Sequence, residues 1–329
     1  MMEINKTESQ SVLLEVKNLW VTYTQDFKKK LAVKDVSFSL SYGETLGIIG
    51  ESGAGKSTLG WAILGMIKEP NEITGKILVN GRDVLKLSER ELMKYRWSEV
   101  SMVFQTAMNS LNPVISIGSN FMRLLLDKGL SKTKIEAKEK IIDLFNIVNL
   151  RDPESLINKY PHELSGGMKQ RIVLAMALSA SPSVLIADEP TTALDTINQL
   201  IILELLKKAK EENKVKSVIL ISHDLSVHAF LDDRIIVMLH GEIVERGLRE
   251  EILRENVPHH PYTESLNLSV TLNVNKVRES GTKNIRSSYT SEGCAFATLC
   301  PKAMEKCFNN KPDEIFVSDT HAIKCFLFG

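Results

Sequence analysis

Apolar residues fall in two rhythms along this chain. Short runs at LLEVKNLWVTY, VKDVSFSL, TLGIIG, KILVNG, VSMVFQ, SVLIADE, SVILISH and RIIVMLHGEIVERG read as strands and alternate with stretches of helical spacing, which predicts an α/β fold. Runs that alternate polar with apolar residues predict antiparallel strands. The unbroken apolar runs predict a buried, parallel core. Between residues 106 and 163 the strand signal stops, and LSKTKIEAKEKIIDLFNIVNL places its apolar residues at helical intervals, so a helical subdomain is expected there, inserted into the sheet.

Beyond HHPYT at 259–263 the chain turns polar and aperiodic through TLNVNKVRESGTKNIRSSYTSEG, which predicts a linker. The expected organisation is a flexible N-terminus at 1–11, a main domain at 12–265, a linker at 266–292 and a short extension at 293–329. With 329 residues the chain is long enough for one large domain with its own core and a smaller appendage.

The 41 basic and 41 acidic residues cancel, so no global field draws the chain to nucleic acid or an anionic membrane, and KKK at 28–30 reads as a solvated loop. MMEINKTESQ lacks the apolar centre of a secretory signal, which argues for the cytoplasm. The longest uncharged run, Ile172 to Ala187, is split by Ser181, Pro182 and Ser183 into a helix end and a strand. No segment is expected to span a bilayer.

The chemistry begins at GESGAGKST, set between an apolar strand and a helix. Gly50, Gly53 and Gly55 allow the backbone to curl, so that amides across Glu51, Ser52 and Ala54 face one anion at a helix N-terminus. Lys56 adds a point charge for the β- and γ-phosphates. Ser57 can place its hydroxyl on Mg²⁺, with Thr58 beside it. A triphosphate site is the expectation. Val184 to Ala187 then form a buried strand ending in Asp188 and Glu189, where Asp188 can hold the metal through water and Glu189 can polarise an attacking water. His223 closes another apolar strand, in reach of a γ-phosphate.

LSGGMKQR, Leu164 to Arg171, precedes the acidic strand and resembles the signature motif of ATP-binding cassette proteins; the resemblance covers roughly residues 12–265. It implies an α/β P-loop cassette with a mixed core sheet, an antiparallel β edge, the inserted helical subdomain and a small cysteine-containing C-terminal extension. In that family two cassettes face head to tail, so Ser165, Gly166 and Gly167 would serve the nucleotide of the partner. Gln105 resembles the glutamine that links metal and water to the helical subdomain, Asp195 the residue lining the dimer seam, and Tyr23 the aromatic that stacks on adenine.

SLNPVISIG, YPHELSGGMKQR, HPYT and the cysteine tail resemble the ATPase subunits of dipeptide, oligopeptide and nickel importers. This implies work at the cytoplasmic face of the membrane with two transmembrane permeases, an external solute-binding protein and a second ATPase, a non-identical paralogue being favoured over the chain itself. Peptide, nickel and oligosaccharide all stay open as cargo. Thr106 and Ala107 depart from that subfamily, which usually has Asp-Pro there. The rival reading is a soluble cassette acting on ribosomes or DNA, but such proteins carry tandem cassettes or a long coiled-coil insertion, and this sequence has neither.

Cys294, Cys300, Cys307 and Cys325 are separated by five, six and seventeen residues. Four thiolates can bind an iron-sulfur cluster or zinc; a cytoplasmic setting makes disulfides the weakest choice, and structural zinc usually takes closer pairs. The importer resemblance implies a 4Fe-4S cluster with a structural role. A tail of this size has little core of its own, so a metal is expected to fold it.

Overall fold

In the computed structural model, residues 11–25, 28–105, 110–254, 256–271 and 292–329 are described. The expected flexible N-terminus (but for Ser11), the departures at Thr106 and Ala107, and most of the expected linker lie outside them.

The first strands form an antiparallel sheet. β1 (Val12–Gln25) pairs with β2 (Lys28–Ser41) and with β4 (Glu72–Val79), which pairs with β5 (Arg82–Asp83), giving the order β2-β1-β4-β5. Alternation in β2 sends Val36, Phe38 and Leu40 inward. Lys28 to Lys30 open β2 instead of forming a loop, and Lys29 meets Glu72 at 2.5 Å. Backbone pairing extends a hairpin without any apolar side chain, so a solvated charge run there is compatible with a strand.

The second sheet has eight strands in the order β11-β12-β10-β9-β3-β8-β7-β6. Its parallel centre is β6 (Val100–Val103), β7 (Val184–Asp188), β8 (Ser217–Ser222), β3 (Thr45–Ile49) and β9 (Arg234–Leu239). Every residue of β3, β6, β7 and β8 is buried, as their unbroken apolar runs require. RIIVMLHGEIVERG is a hairpin: β9 turns back as β10 (Glu242–Leu248) through His240 and Gly241, both at positive φ (46° and 87°).

Helices α1 (Lys56–Ile63) and α2 (Glu89–Ser98) precede β6. Between β6 and β7 the chain is helical: α3 (Ile117–Asp127), α4 (Lys134–Ile147), α5 (Pro153–Leu156) and α6 (Gly166–Leu178). Ser116, Thr133, Asp152 and Ser165 cap these helices through side-chain oxygens. Phe121 and Phe145 pack with ring centroids 5.9 Å apart, within one apolar cluster that continues to Leu185 and Ala187 of β7. The helices α7 (Thr196–Glu211), α8 (Leu225–Leu231), α9 (Arg249–Leu253) and α10 (Pro261–Thr271) follow. Helix α10 takes up residues 266–271, the first part of the segment expected as linker.

The tail carries α11 (Glu305–Asn309), β11 (Glu314–Phe316) and β12 (Ala322–Lys324), and β12 pairs with β10 as an extension of the main sheet. The expectation that the tail needs a metal for want of core is therefore incomplete, because backbone pairing joins it to the central core. Beneath that pairing Glu245 is buried, with Oε1 2.7 Å from His259 Nδ1 and 2.8 Å from His321 Nε2, while Oε2 accepts from the His260 amide at 2.8 Å. Burial alone would raise the Glu245 pKa, but hydrogen bonds from His259 and His321, together with the His259 charge, hold it down to about 2.

His259 Nε2 lies 2.8 Å from the Arg254 carbonyl and must carry a proton, so the ring satisfies both neighbours only as imidazolium. Burial opposes that charge, yet Glu245 and the Arg254 carbonyl raise the His259 pKa above its ordinary value. The Glu245 contribution is complete above 4.5 and is lost as pH falls toward about 2, whereas that of His259 is complete below 6.5 and fades as pH rises through its raised folded value. The buried cluster at Glu245, on which His321 of the tail docks, is accordingly expected to be firmest between these limits. Glu245→Gln should weaken it by about 2 kcal/mol, seen as roughly 30-fold faster hydrogen exchange at the β12 amides; unchanged exchange would refute this role.

Candidate functional site

Strand pairing sets the site. Ile49 of β3 lies opposite Ser222 of β8, and Ile221 of β8 opposite Asp188 of β7, so the segments leaving these three strands emerge side by side at their carboxyl ends. They carry the loop at 50–55, His223 and the Asp188–Glu189 pair.

The loop joins β3 to the N-terminus of α1. Gly55 sits at φ 100°, and a Cβ there would fall 2.5 Å from the Ala32 carbonyl oxygen, so only glycine fits. The Ala54 amide donates to the Glu51 carbonyl at 3.1 Å. The buried Lys56 ammonium folds back to the carbonyls of Gly50 and Glu51, at 2.5 and 3.0 Å. Burial lowers its pKa, opposed by the charges of Glu189, Asp188 and Glu51. Gly53 turns at φ 86°, and Ser52 is exposed on the loop. Tyr23, on β1, donates its hydroxyl to Thr58 Oγ1 at 3.3 Å, which places its ring beside the start of α1.

Asp188 ends β7 in a buried position, where burial raises its pKa, a hydrogen bond with Ser57 and the charge of Lys56 lower it, and the Glu189 charge raises it. Its Oδ1 has no protein hydrogen-bond partner. An orphaned buried carboxylate oxygen beside a serine hydroxyl fits a hard cation such as Mg²⁺. Glu189 stands at φ 50° with its amide bonded to the Ile221 carbonyl at 2.8 Å. Its Oε1 lies 2.8 Å from His223 Nδ1, and its Oε2 accepts from Thr192 Oγ1 at 3.1 Å. His223 is largely exposed, so a carboxylate and an imidazole are held together at the rim. Gln105 lies just past β6, exposed, at the same end of the sheet.

The signature segment forms a second centre. Ser165 caps α6, its Oγ accepting from the Met168 amide at 3.3 Å, with Gly166 exposed in the first turn. Gly167 is buried, and a Cβ there would lie 2.5 Å from Asn198 Oδ1. Asn198 is held by Asp195, which accepts from its side chain at 2.6 Å and its backbone at 3.0 Å, and these bonds lower the Asp195 pKa. Sequence reading missed Asn198 and Thr192. The Asp-x-x-Asn capping spacing was visible for Asn198, whereas nothing local marked Thr192.

The tail places Cys294, Cys300, Cys307 and Cys325 around one small cavity, all as free thiols. Burial pushes Cys294 up to about 11 and also raises Cys300 and Cys325. Among the described residues, the group of three or more His, Cys, Asp or Glu ligand atoms mutually within 4.8 Å is Glu245, His259 and His321.

Comparison with known proteins identifies the family. The ABC transporter family profile matches residues 33–192, and a second profile, described as the oligopeptide/dipeptide transporter C-terminal region, matches 244–307. The oligopeptide transport ATP-binding protein AppD of Bacillus subtilis is 38% identical over 97% of this chain and 97% of its own length. The dipeptide transport ATP-binding protein DppD of that organism is 40% identical over 96% and 94%, and OppD of Salmonella typhimurium is 40% identical over 96% and 95%. Among solved structures, the dimeric cassette MJ0796 bound to ADP and Pi aligns at TM-score 0.64 and 31% identity, over 72% of this chain and 98% of that one. CbiO1 from Clostridium perfringens aligns at 0.63 and 26%, over 82% and 98%. The chain belongs to the ATP-binding cassette transporter family, as an ATPase bearing the oligopeptide/dipeptide transporter C-terminal region.

Proposed function

We propose that this chain hydrolyses ATP to drive uptake of peptides or a related solute through membrane permeases. The reading is carried by one observation: Lys56, Ser57, Asp188, Glu189 and His223 converge at neighbouring strand ends, in the order that triphosphate chemistry needs. The amides of Ser52, Gly53, Gly55 and Lys56 to Thr58, with the Lys56 ammonium, bind the β- and γ-phosphates, while the Glu51 amide is taken by Tyr262 and that of Ala54 by the Glu51 carbonyl, and Tyr23 offers a face to adenine. Ser57, Asp188 and, just past β6, Gln105 would hold Mg²⁺, which would supply charge neutralisation at the phosphates. Glu189 accepts the proton of the attacking water, and His223 orients that water near the γ-phosphate.

Ser165, Gly166 and Gly167 present helix-end amides to a nucleotide on the facing cassette, with Asp195 at the seam. That closed pair is the state that pushes on the permeases. A second ATPase, a non-identical paralogue or the chain itself, two permeases and an external solute-binding protein complete the assembly at the cytoplasmic face of the membrane. In keeping with a peripheral subunit, no helix among the described residues is long and apolar enough to cross a bilayer.

The four free thiols around one cavity fit a metal centre. Structural zinc usually takes cysteine pairs two to four residues apart along the chain, and these four are separated by five, six and seventeen residues. A 4Fe-4S cluster would take one of the four thiolates at each iron. Its role is structural, added to the strand pairing of β12.

Glu189→Gln should retain Mg-ATP affinity within about twofold while turnover in the assembled transporter falls by at least about 100-fold, because only the proton acceptor is lost; turnover near wild type would reject the assignment. Anaerobically purified chain should contain about four irons per molecule and little zinc, with iron lost in Cys307→Ser. One zinc and no iron would overturn the cluster.

A further inference from the structure

We propose that Tyr262 is a positioning residue of the ATP site, whose hydroxyl holds the Glu51 amide and ties the phosphate loop to the wall of the thiol cavity. Tyr262 is the second residue of α10, only 1% exposed, and its hydroxyl oxygen accepts from the Glu51 amide at 2.9 Å. Glu51 is the residue whose carbonyl receives the Lys56 ammonium at 3.0 Å and the Ala54 amide at 3.1 Å. One residue therefore takes its place from the C-terminal region through its amide and organises the cationic side of the loop through its carbonyl.

Tyr262 is fixed in turn by the cavity wall. Its backbone amide donates to His260 Nδ1 at 3.1 Å, and its ring lies 5.5 Å from that of Phe296, which is 6.0 Å from the His260 ring. Because Nδ1 accepts, the imidazole proton sits on Nε2, the atom 4.0 Å from Cys294 Sγ. His260, Phe296 and Cys294 all line the cavity. A continuous run of contacts thus links a cavity sulfur to a loop amide, and Glu51 is held in the position that its neighbours need before nucleotide arrives.

A tyrosine serving only as core would contribute stability and leave nucleotide affinity alone. Tyr262→Phe keeps the ring packing and removes only the acceptor, so the two roles separate. Mg-ATP affinity is measured by calorimetry on the full chain, and KM and kcat on the assembled transporter. Tyr262→Phe should raise the ATP Kd and KM about fivefold with kcat held within about twofold. Phe296→Leu should raise Kd by about twofold alone and by nothing further in the Tyr262→Phe background, because both act through one contact. A Tyr262→Phe Kd matching wild type, or a Phe296→Leu factor that multiplies equally in both backgrounds, overturns the inference. It rests on the ATP-site reading, whose own failure would appear as absent Mg-ATP binding by the wild-type chain.

Discussion

The register of three parallel strands is the constraint on which the rest depends. With Ile49 opposite Ser222 and Ile221 opposite Asp188, the loop after β3, the histidine after β8 and the acidic pair ending β7 leave the sheet together. A slip of one residue would turn every side chain of the moved strand to the other face. The unbroken burial of β3, β7 and β8 prevents this, because both faces are packed and each strand has one depth at which its polar end escapes. The apolar cores of TLGIIG, SVLIADE and SVILISH are thus a positioning device for the groups that follow them.

Much of this was legible because the signals are local. A phosphate loop needs small residues, a lysine and a hydroxyl within a few positions, and the eight apolar runs each became strand, one folding back at His240–Gly241. The capped helices between β6 and β7 were visible in the spacing of Ile141, Leu144 and Phe145. The contacts that escaped reading link distant parts of the chain. Glu245 meets His321, and Glu51 meets Tyr262. HPYT was evident as a motif, but nothing in its composition says that its tyrosine reaches the loop. Likewise, Glu314–Phe316 and Ala322–Lys324 are too short for a period to show, and exist as strands because β10 offers an open edge.

The two centres differ in how they are built. Around Lys56 and Asp188 the charges are buried and constrain one another. At Ser165 the glycines lie at a helix end, and Gly167 leaves room for Asn198, itself braced by Asp195. The signature helix and the first turn of α7 therefore pack closely at Gly167 and Asn198, so a displacement of one is felt by the other.

The lateral border of the main sheet has a further consequence. β12 covers β10, and β11, three residues long and clamped by the Arg246–Glu314 ion pair, becomes the outer edge. A long strand left bare offers a row of free amides and carbonyls to any passing chain, whereas a short charged one does not. Truncated forms ending before β12 would expose that row and invite self-association, so insolubility in such forms would reflect an uncapped sheet.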